Sequence, residues 1–274
     1  MPLNHNELPD FSAELSLLQE AALEAGKVAM SYFGKDPQVW MKAWDSPVSD
    51  GVVAVNAFLE KTLQSARPNY GWLSEETADT GDRMVKSRTF IVDPIDGTRA
   101  YIGGRETWCV SIALVENGRP IAGVLEWPAL GESVAAAKGN GATLNGRSMT
   151  AVVHNKTQPV AGPLMMRRAM ERVNVLDYAL YPDHIPSLAY RLAMVAKGDL
   201  SAAFARPRCH DWDIAAADIL LEEVGAALHD VRGADQSTAA IYNQTDLKRS
   251  VLLAAANSAP QHLMEVAQSM VIHQ

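Results

Sequence analysis

A chain of 274 residues with 48% hydrophobic content is long enough to fill one large core or two fused lobes without covalent staples. Its formal net charge of −8, from 24 basic and 32 acidic residues, argues against a nucleic-acid or membrane-surface partner, because both require a basic face. Its 2 cysteines, Cys109 and Cys209, are too few for a disulfide framework, are not spaced as a metal knuckle, and read as buried free thiols. Met1–Glu7 lacks a basic region followed by an apolar core, and no later stretch stays apolar long enough to span a bilayer, so the cytoplasm is the expected location.

In chain order, residues 11–33 place Leu15, Leu18, Ala22, Val28, Ala29 and Tyr32 at helical spacing and stop at Gly34, which predicts an amphipathic helix with a glycine cap. A second helix is predicted over 51–65. Tyr70–Ser74 and Thr89–Asp93 read as short strands, and Trp108–Val115 with Arg119–Glu126 as a hairpin around Glu116-Asn117-Gly118. Strands at Ser133–Ala137 and Gly141–Leu144, with turns at Gly139-Asn140-Gly141 and Asn145-Gly146, complete a predicted antiparallel sheet. From Val160 the pattern alternates: a strand near Leu164–Met166, a helix over Ser187–Ala196, a strand near Ala202–Phe204, a helix over Asp213–Val224, a strand over Val251–Ala255 and a terminal helix. A meander followed by alternation predicts layered α/β architecture in one unit over 1–274. Its two intimate lobes, 1–155 and 156–274, would meet at a cleft.

One hexad carries most of the chemistry. Asp93-Pro94-Ile95-Asp96-Gly97-Thr98 follows the apolar run Phe90-Ile91-Val92, which reads as a buried strand closed by a proline that cannot extend a ladder. Asp96 returns beside Asp93, and Gly97-Thr98 allows a sharp turn that presents N–H groups and a hydroxyl. Two adjacent carboxylates raise each other's pKa unless a cation lies between them, and hard oxygen ligands in a tight turn favour Mg²⁺ or Mn²⁺. Upstream, Trp72-Leu73-Ser74-Glu75-Glu76-Thr77 delivers adjacent acids to a strand end; downstream, Asp211-Trp212-Asp213-Ile214-Ala215-Ala216 opens a small-residue helix with acids. Taken singly, a strand-end acid pair is usually solvated surface, and a helix-start Asp is usually a cap.

Together the three motifs resemble the inositol monophosphatase superfamily, the magnesium-dependent, lithium-inhibited phosphomonoesterases. Glu75-Glu76 matches its glutamate pair, 93–98 its Asp-Pro-(Ile/Leu)-Asp-Gly-Thr signature without a change, and 212–216 its Trp-Asp-x-Ala-Ala motif, with weaker echoes at Gly141–Gly146 and Ser187–Tyr190. The resemblance implies an α/β, alternating αβαβα sandwich related to fructose-1,6-bisphosphatase, a homodimer, and hydrolysis of a small phosphorylated metabolite. It implies that Glu75, Asp93, the Ile95 carbonyl and the Thr98 hydroxyl surround one Mg²⁺, that Asp93, Asp96 and Asp213 hold a second, and that a third touches Glu75. Mn²⁺ would be the substitute ion. The Gly97 and Thr98 N–H groups would cradle the phosphate, which Asp96 and Asp213 flank.

Two departures bear on activity and substrate. Relatives place a water-orienting Asp where Ser46-Pro47-Val48-Ser49-Asp50-Gly51-Val52 has Val52, which leaves Asp50, Glu75 and Thr98 as candidate catalytic groups and a weakly active or non-catalytic metal- and phosphate-binding homologue as the alternative. Seven residues before Asp213, where inositol-specific relatives carry a glutamate, stands Arg206, a residue that prefers a second phosphate or a carboxylate. That keeps 3′(2′),5′-bisphosphate nucleotidase and histidinol-phosphate phosphatase as alternative activities.

Overall fold

The structure is a computed structural model and describes residues 10–35, 38–41, 47–233 and 236–272. The N-terminal stretch read above, Trp44 and Ser46 lie outside the described residues. Helix α1 (Ser12–Tyr32) begins where the Asp10 carboxylate accepts a bond of 2.9 Å from the Ser12 N–H, and it buries Leu18, Ala21, Ala22, Ala25 and Ala29 on one stripe. A short antiparallel ribbon, β1 (Val39–Met41) and β2 (Pro47–Ser49), leads into α2 (Asp50–Ala66). Then come β3 (Gly71–Ser74), a 3₁₀ turn at Asp82–Val85, β4 (Arg88–Asp96) and the short α3 (Thr98–Ile102).

The meander continues through β5 (Cys109–Glu116), β6 (Arg119–Trp127), β7 (Glu132–Ala137), β8 (Ala142–Leu144) and β9 (Arg147–Ser148). With β3 and β4 these form one seven-stranded sheet in sequence order, antiparallel except for the parallel β3–β4 pair at its edge. That parallel pair corrects the expected all-antiparallel sheet: the chain crosses back over the sheet face through the 3₁₀ turn between the two strands.

The second half supplies β10 (Val160–Ala161), α4 (Leu164–Arg172), α5 (Leu188–Ala196), β11 (Ala202–Ala205), α6 (Asp211–Glu223), β12 (Ala226–Gly233), β13 (Gln236–Ala239), β14 (Val251–Ala256) and α7 (His262–Ile272). Its sheet runs β10-β11-β14-β12-β13. Where a strand was expected near Leu164–Met166 the chain is helical, with Met166, Ala169 and Met170 inward and Arg167, Arg168 and Arg172 exposed. Three apolar residues cannot distinguish a strand from one face of a helix.

Three apolar cores separate five layers. One joins α1 and α2 to the outer face of the first sheet, with Leu18, Val52, Leu59, Phe90 and Val110. The second holds α5 and α6 between the two sheets, with Leu125, Leu192, Ala216 and Leu252. The third packs α4 and α7 on the far face of the second sheet, with Met170, Phe204, Val251 and Val266. The order is helices, sheet, helices, sheet, helices, as the αβαβα expectation required.

Candidate active site

The site begins with an irregularity in β4. Asp93 stands opposite Ser111 and Asp96 opposite Cys109, so β4 spends one residue more than β5 over this step. The bulge takes up Pro94, which has no N–H to give a ladder, and the Asp93 carboxylate accepts a bond of 3.0 Å from the Ile95 N–H. The strand therefore runs to Asp96 and does not stop at Asp93. Gly97 follows at φ +92°, where a Cβ would lie 3.0 Å from the Ser187 Cβ and 3.1 Å from the Thr107 carbonyl, so glycine answers both the backbone conformation and the close approach. The Thr98 hydroxyl donates to the Ile95 carbonyl at 3.0 Å and starts α3.

Helix α6 delivers the third carboxylate. It starts at Asp211, two residues before the predicted start, so Asp213 sits in its first turn and accepts the His210 N–H at 2.6 Å. The buried Asp211 carboxylate takes the Asn243 N–H at 2.8 Å and an ion pair from the equally buried Arg249. The Ser111 hydroxyl donates to the Trp212 carbonyl at 3.2 Å. Gly123 in β6 completes the seating, since a Cβ there would come 2.6 Å from Ile219 Cγ2 and 3.0 Å from Ala216 Cα. His210, the residue before the helix, stacks on Trp212 with ring centroids 4.6 Å apart.

Donor oxygens of Asp93, Asp96 and Asp213 come within 4.8 Å of one another. Burial pushes the Asp93 carboxyl well above its ordinary range, and the charges of Glu75, Asp96, Asp213 and Glu76 push it further. Asp213 is raised in the same direction by burial and by Asp96. Asp96 is raised by burial but relieved by the Ser187 hydroxyl and the Ala189 N–H, each donating to its Oδ2 at 2.6 Å, and by Arg191. Glu75 stands in the turn after β3, where its N–H pairs with the Val92 carbonyl at 3.2 Å, and its charge acts on both Asp93 and Asp213. That turn is pinned from behind: Ser74 donates to Asn56 at 2.7 Å, and Asn56 and Trp72 both donate to Thr77, at 3.1 and 3.2 Å. Three carboxylates, Asp93 and Asp96 buried and Asp213 half-buried, held together against their own repulsion and offering only oxygen donors, fit a hard divalent cation.

A cavity of about 650 Å³ opens on Asp96 and Asp213 and is also lined by Arg99, Arg191, Arg206 and Arg208. Arg206, singled out in the sequence, is therefore beside the acids. Asp50 is exposed in the first turn of α2 and is not one of the three grouped carboxylates; Val52 is 1% exposed in the core between α1 and the first sheet. The helix start nevertheless adjoins the hexad, because β2 packs on α3 and Gly51 leaves room for the Tyr101 hydroxyl. Sequence reasoning passed over Asn56, Arg191 and Arg249, and it named Asp211 in its motif without giving it a role. Ser187 had a signal, the weak Ser187–Tyr190 echo.

The profile of the inositol monophosphatase family matches residues 12–273. The chain belongs to that family. Its relatives include the Nus factor SuhB of Xylella fastidiosa, 33% identical over 81% of this chain and 83% of that protein, and the inositol-1-monophosphatase of Mesorhizobium japonicum, 32% identical over 81% and 87%. More distant relatives carry other activities in their names: a histidinol-phosphatase of Chlorobaculum parvum at 30% (80% and 86%) and the 3′(2′),5′-bisphosphate nucleotidase CysQ of Aggregatibacter actinomycetemcomitans at 29% (77% and 82%). The crystal structure of the extragenic suppressor protein suhB from Bartonella henselae superposes with a TM-score of 0.78 at 24% identity, over 94% of this chain and 98% of that one, a likeness of fold. As a family member the chain is a phosphatase, a hydrolase of phosphomonoesters, and its family is metal-dependent. Among the described residues no helix is long and apolar enough to cross a membrane.

Proposed function

We propose that the protein hydrolyses a small phosphate monoester with Mg²⁺, and the observation that carries this is the convergence of Asp93, Asp96 and Asp213 within 4.8 Å beside a cavity of metabolite size. Glu75, Asp93, the Ile95 carbonyl and Thr98 would hold one ion; Asp93, Asp96 and Asp213 a second; Glu75 a looser third. Bound there, the ions supply positive charge to phosphoryl oxygens and acidify water. The chain's own groups do the rest. Gly97 and Thr98 offer backbone N–H groups to the phosphate, and Asp96, held by Ser187 and Ala189, keeps a fixed orientation. Glu75 and Thr98 orient the attacking water. Asp50 assists them as an auxiliary acid, supported by the packing of β2 on α3 that brings its helix start to the Thr98 turn. With Val52 in the core, the usual acid at that helix position has no counterpart in this chain.

The activities in the relatives' names span inositol phosphate, histidinol phosphate and nucleoside bisphosphate. We take the monoester class as the conclusion and keep the last two as alternatives. The same reading makes the protein a lithium-inhibited cytoplasmic homodimer. The test is phosphate release from inositol 1-phosphate, histidinol phosphate and 3′-phosphoadenosine 5′-phosphate, with and without Mg²⁺ and Li⁺, by the wild type and by Asp50→Asn. Release that needs Mg²⁺, falls with Li⁺ and drops about tenfold in Asp50→Asn is expected. Release indifferent to Mg²⁺ overturns the reading, and an unchanged Asp50→Asn removes that residue from it.

A further inference from the structure

Helix α2 buries a stripe of Gly51, Val52, Val55, Leu59 and Leu63, and Asn56 is the polar member of that stripe. Packing gives no reason for an amide there. Asparagine is a weak helix former, and a buried amide costs free energy unless both of its ends find partners. Both ends do. The Ser74 hydroxyl donates to Oδ1 at 2.7 Å, and Nδ2 donates to the Thr77 hydroxyl at 3.1 Å. Neither partner belongs to α2. They flank Glu75 and Glu76, the acid pair at the end of β3.

The bonds continue through these two hydroxyls into the turn itself. Ser74 Oγ accepts the Glu76 N–H at 3.2 Å, and Thr77 Oγ1 accepts the Trp72 indole N–H, a group that can only donate, at 3.2 Å. With the Glu75 N–H on the Val92 carbonyl, each residue from Ser74 to Thr77 is tied down. β3 runs parallel to β4 with Ser74 opposite Val92, so the turn after β3 lies alongside Asp93. The Glu75 backbone is thus located by the strand pairing on one side and by Asn56 on the other. Loss of the Asn56 side chain would leave the Ser74 hydroxyl without its acceptor and free the turn on its helix side. Val52, four residues earlier on the same helical face, offers no acid to an attacking water, which leaves that task to Glu75 with Thr98.

We infer that Asn56 is a positioning residue: through Ser74 and Thr77 it fixes the direction from which Glu75 reaches the metal centre. The inference rests on the metal-dependent phosphomonoesterase reading for the role of Glu75. It makes a neutral side chain on α2 a determinant of ion affinity, acting through an acid on another segment.

The test is calorimetric titration of Mn²⁺ into the wild type, Asn56→Ala, Glu75→Gln and the double variant. Asn56→Ala is expected to weaken Mn²⁺ binding about tenfold, the order of effect that follows when a group orienting a metal ligand is removed. In the Glu75→Gln background the same substitution is expected to change the affinity by less than about twofold, because the acid it orients has gone. Wild-type affinity in Asn56→Ala overturns the inference. So does a loss of equal size in both backgrounds, the result that a general loosening of the fold would give. Ser74→Ala cuts the same link from the turn side and is held to the same outcomes if Asn56→Ala does not fold. Turnover gives a second readout: in Mg²⁺, Asn56→Ala is expected to lower kcat about tenfold with KM within about threefold of wild type, and a raised KM with unchanged kcat overturns the inference. A wild type that binds no Mn²⁺ refutes the metal-dependent reading and the inference with it, whereas wild-type binding that Asn56→Ala leaves intact removes the positioning role alone.

Discussion

The molecule buries acids in two ways, and the contrast separates architecture from chemistry. Asp211, Asp218 and Asp230 each meet an arginine: Arg249 for Asp211, Arg119 at 3.3 Å for Asp218 and Arg232 at 2.9 Å for Asp230. Asp93, Asp96 and Asp213 meet one another. The first set has its counter-charge built in, and its task is finished when the chain folds. The second is folded into mutual repulsion by features that cannot relax, namely the β4 bulge, Gly97 at positive φ and the first turn of α6, so its counter-charge must come from outside.

Breaking a paired acid should therefore be costly. Arg249→Ala leaves Asp211 buried and uncompensated at the start of α6, and the expected loss is about 3–5 kcal/mol of unfolding free energy, read by urea denaturation. Because Asp211 anchors the turn that presents Asp213, phosphate release should fall with it. A loss below about 1 kcal/mol would mean that the pair does not organise the helix start.

Asp218 sharpens the contrast, since its pairing is incomplete. Burial raises its carboxyl to about 6, against the opposing pull of Arg119 and of the Tyr242 hydroxyl donating at 3.0 Å. The folded state then holds this proton more tightly than the unfolded state does, so stability falls as pH rises from about 4 to about 6. The gap from the ordinary 3.8 to about 6, at about 1.4 kcal/mol per pH unit, amounts to about 3 kcal/mol. Asp218→Asn is expected to flatten this part of the stability–pH profile. A variant with the wild-type slope would show that another group carries the dependence.

The acidic half of the site was legible in the sequence because its geometry is written in main-chain residues. Pro94 marks a break in the ladder, read in the sequence as the strand's end and found in the structure as a bulge, Gly97 marks a sharp turn, and Asp213 lies in the first turn of a helix. The arginine half depends on which loops the fold brings together: nothing local distinguishes Arg191 from any other helical arginine, and only the folded structure shows its Nε buried without an acceptor. The same limit explains the missed strand β12. Its buried Asp230 interrupts the apolar pattern, and the Ser250 N–H that donates to it at 3.2 Å comes from a distant stretch of the chain. The Asn56–Ser74–Thr77 bracket behind Glu75 was likewise invisible, being one asparagine on an otherwise ordinary amphipathic helix.

The most direct test of the uncompensated triad is thermal unfolding of the wild type and Asp93→Asn, each in EDTA and in Mg²⁺ or Mn²⁺. The expected outcome is that removing the Asp93 charge leaves the EDTA form at least as stable as wild type, while the divalent ion raises the wild-type Tm and barely moves that of the variant; an ion at 100 times its Kd contributes about 2.7 kcal/mol. An Asp93→Asn protein that is several kcal/mol less stable in EDTA, or a wild type whose Tm ignores the ion, would contradict the account.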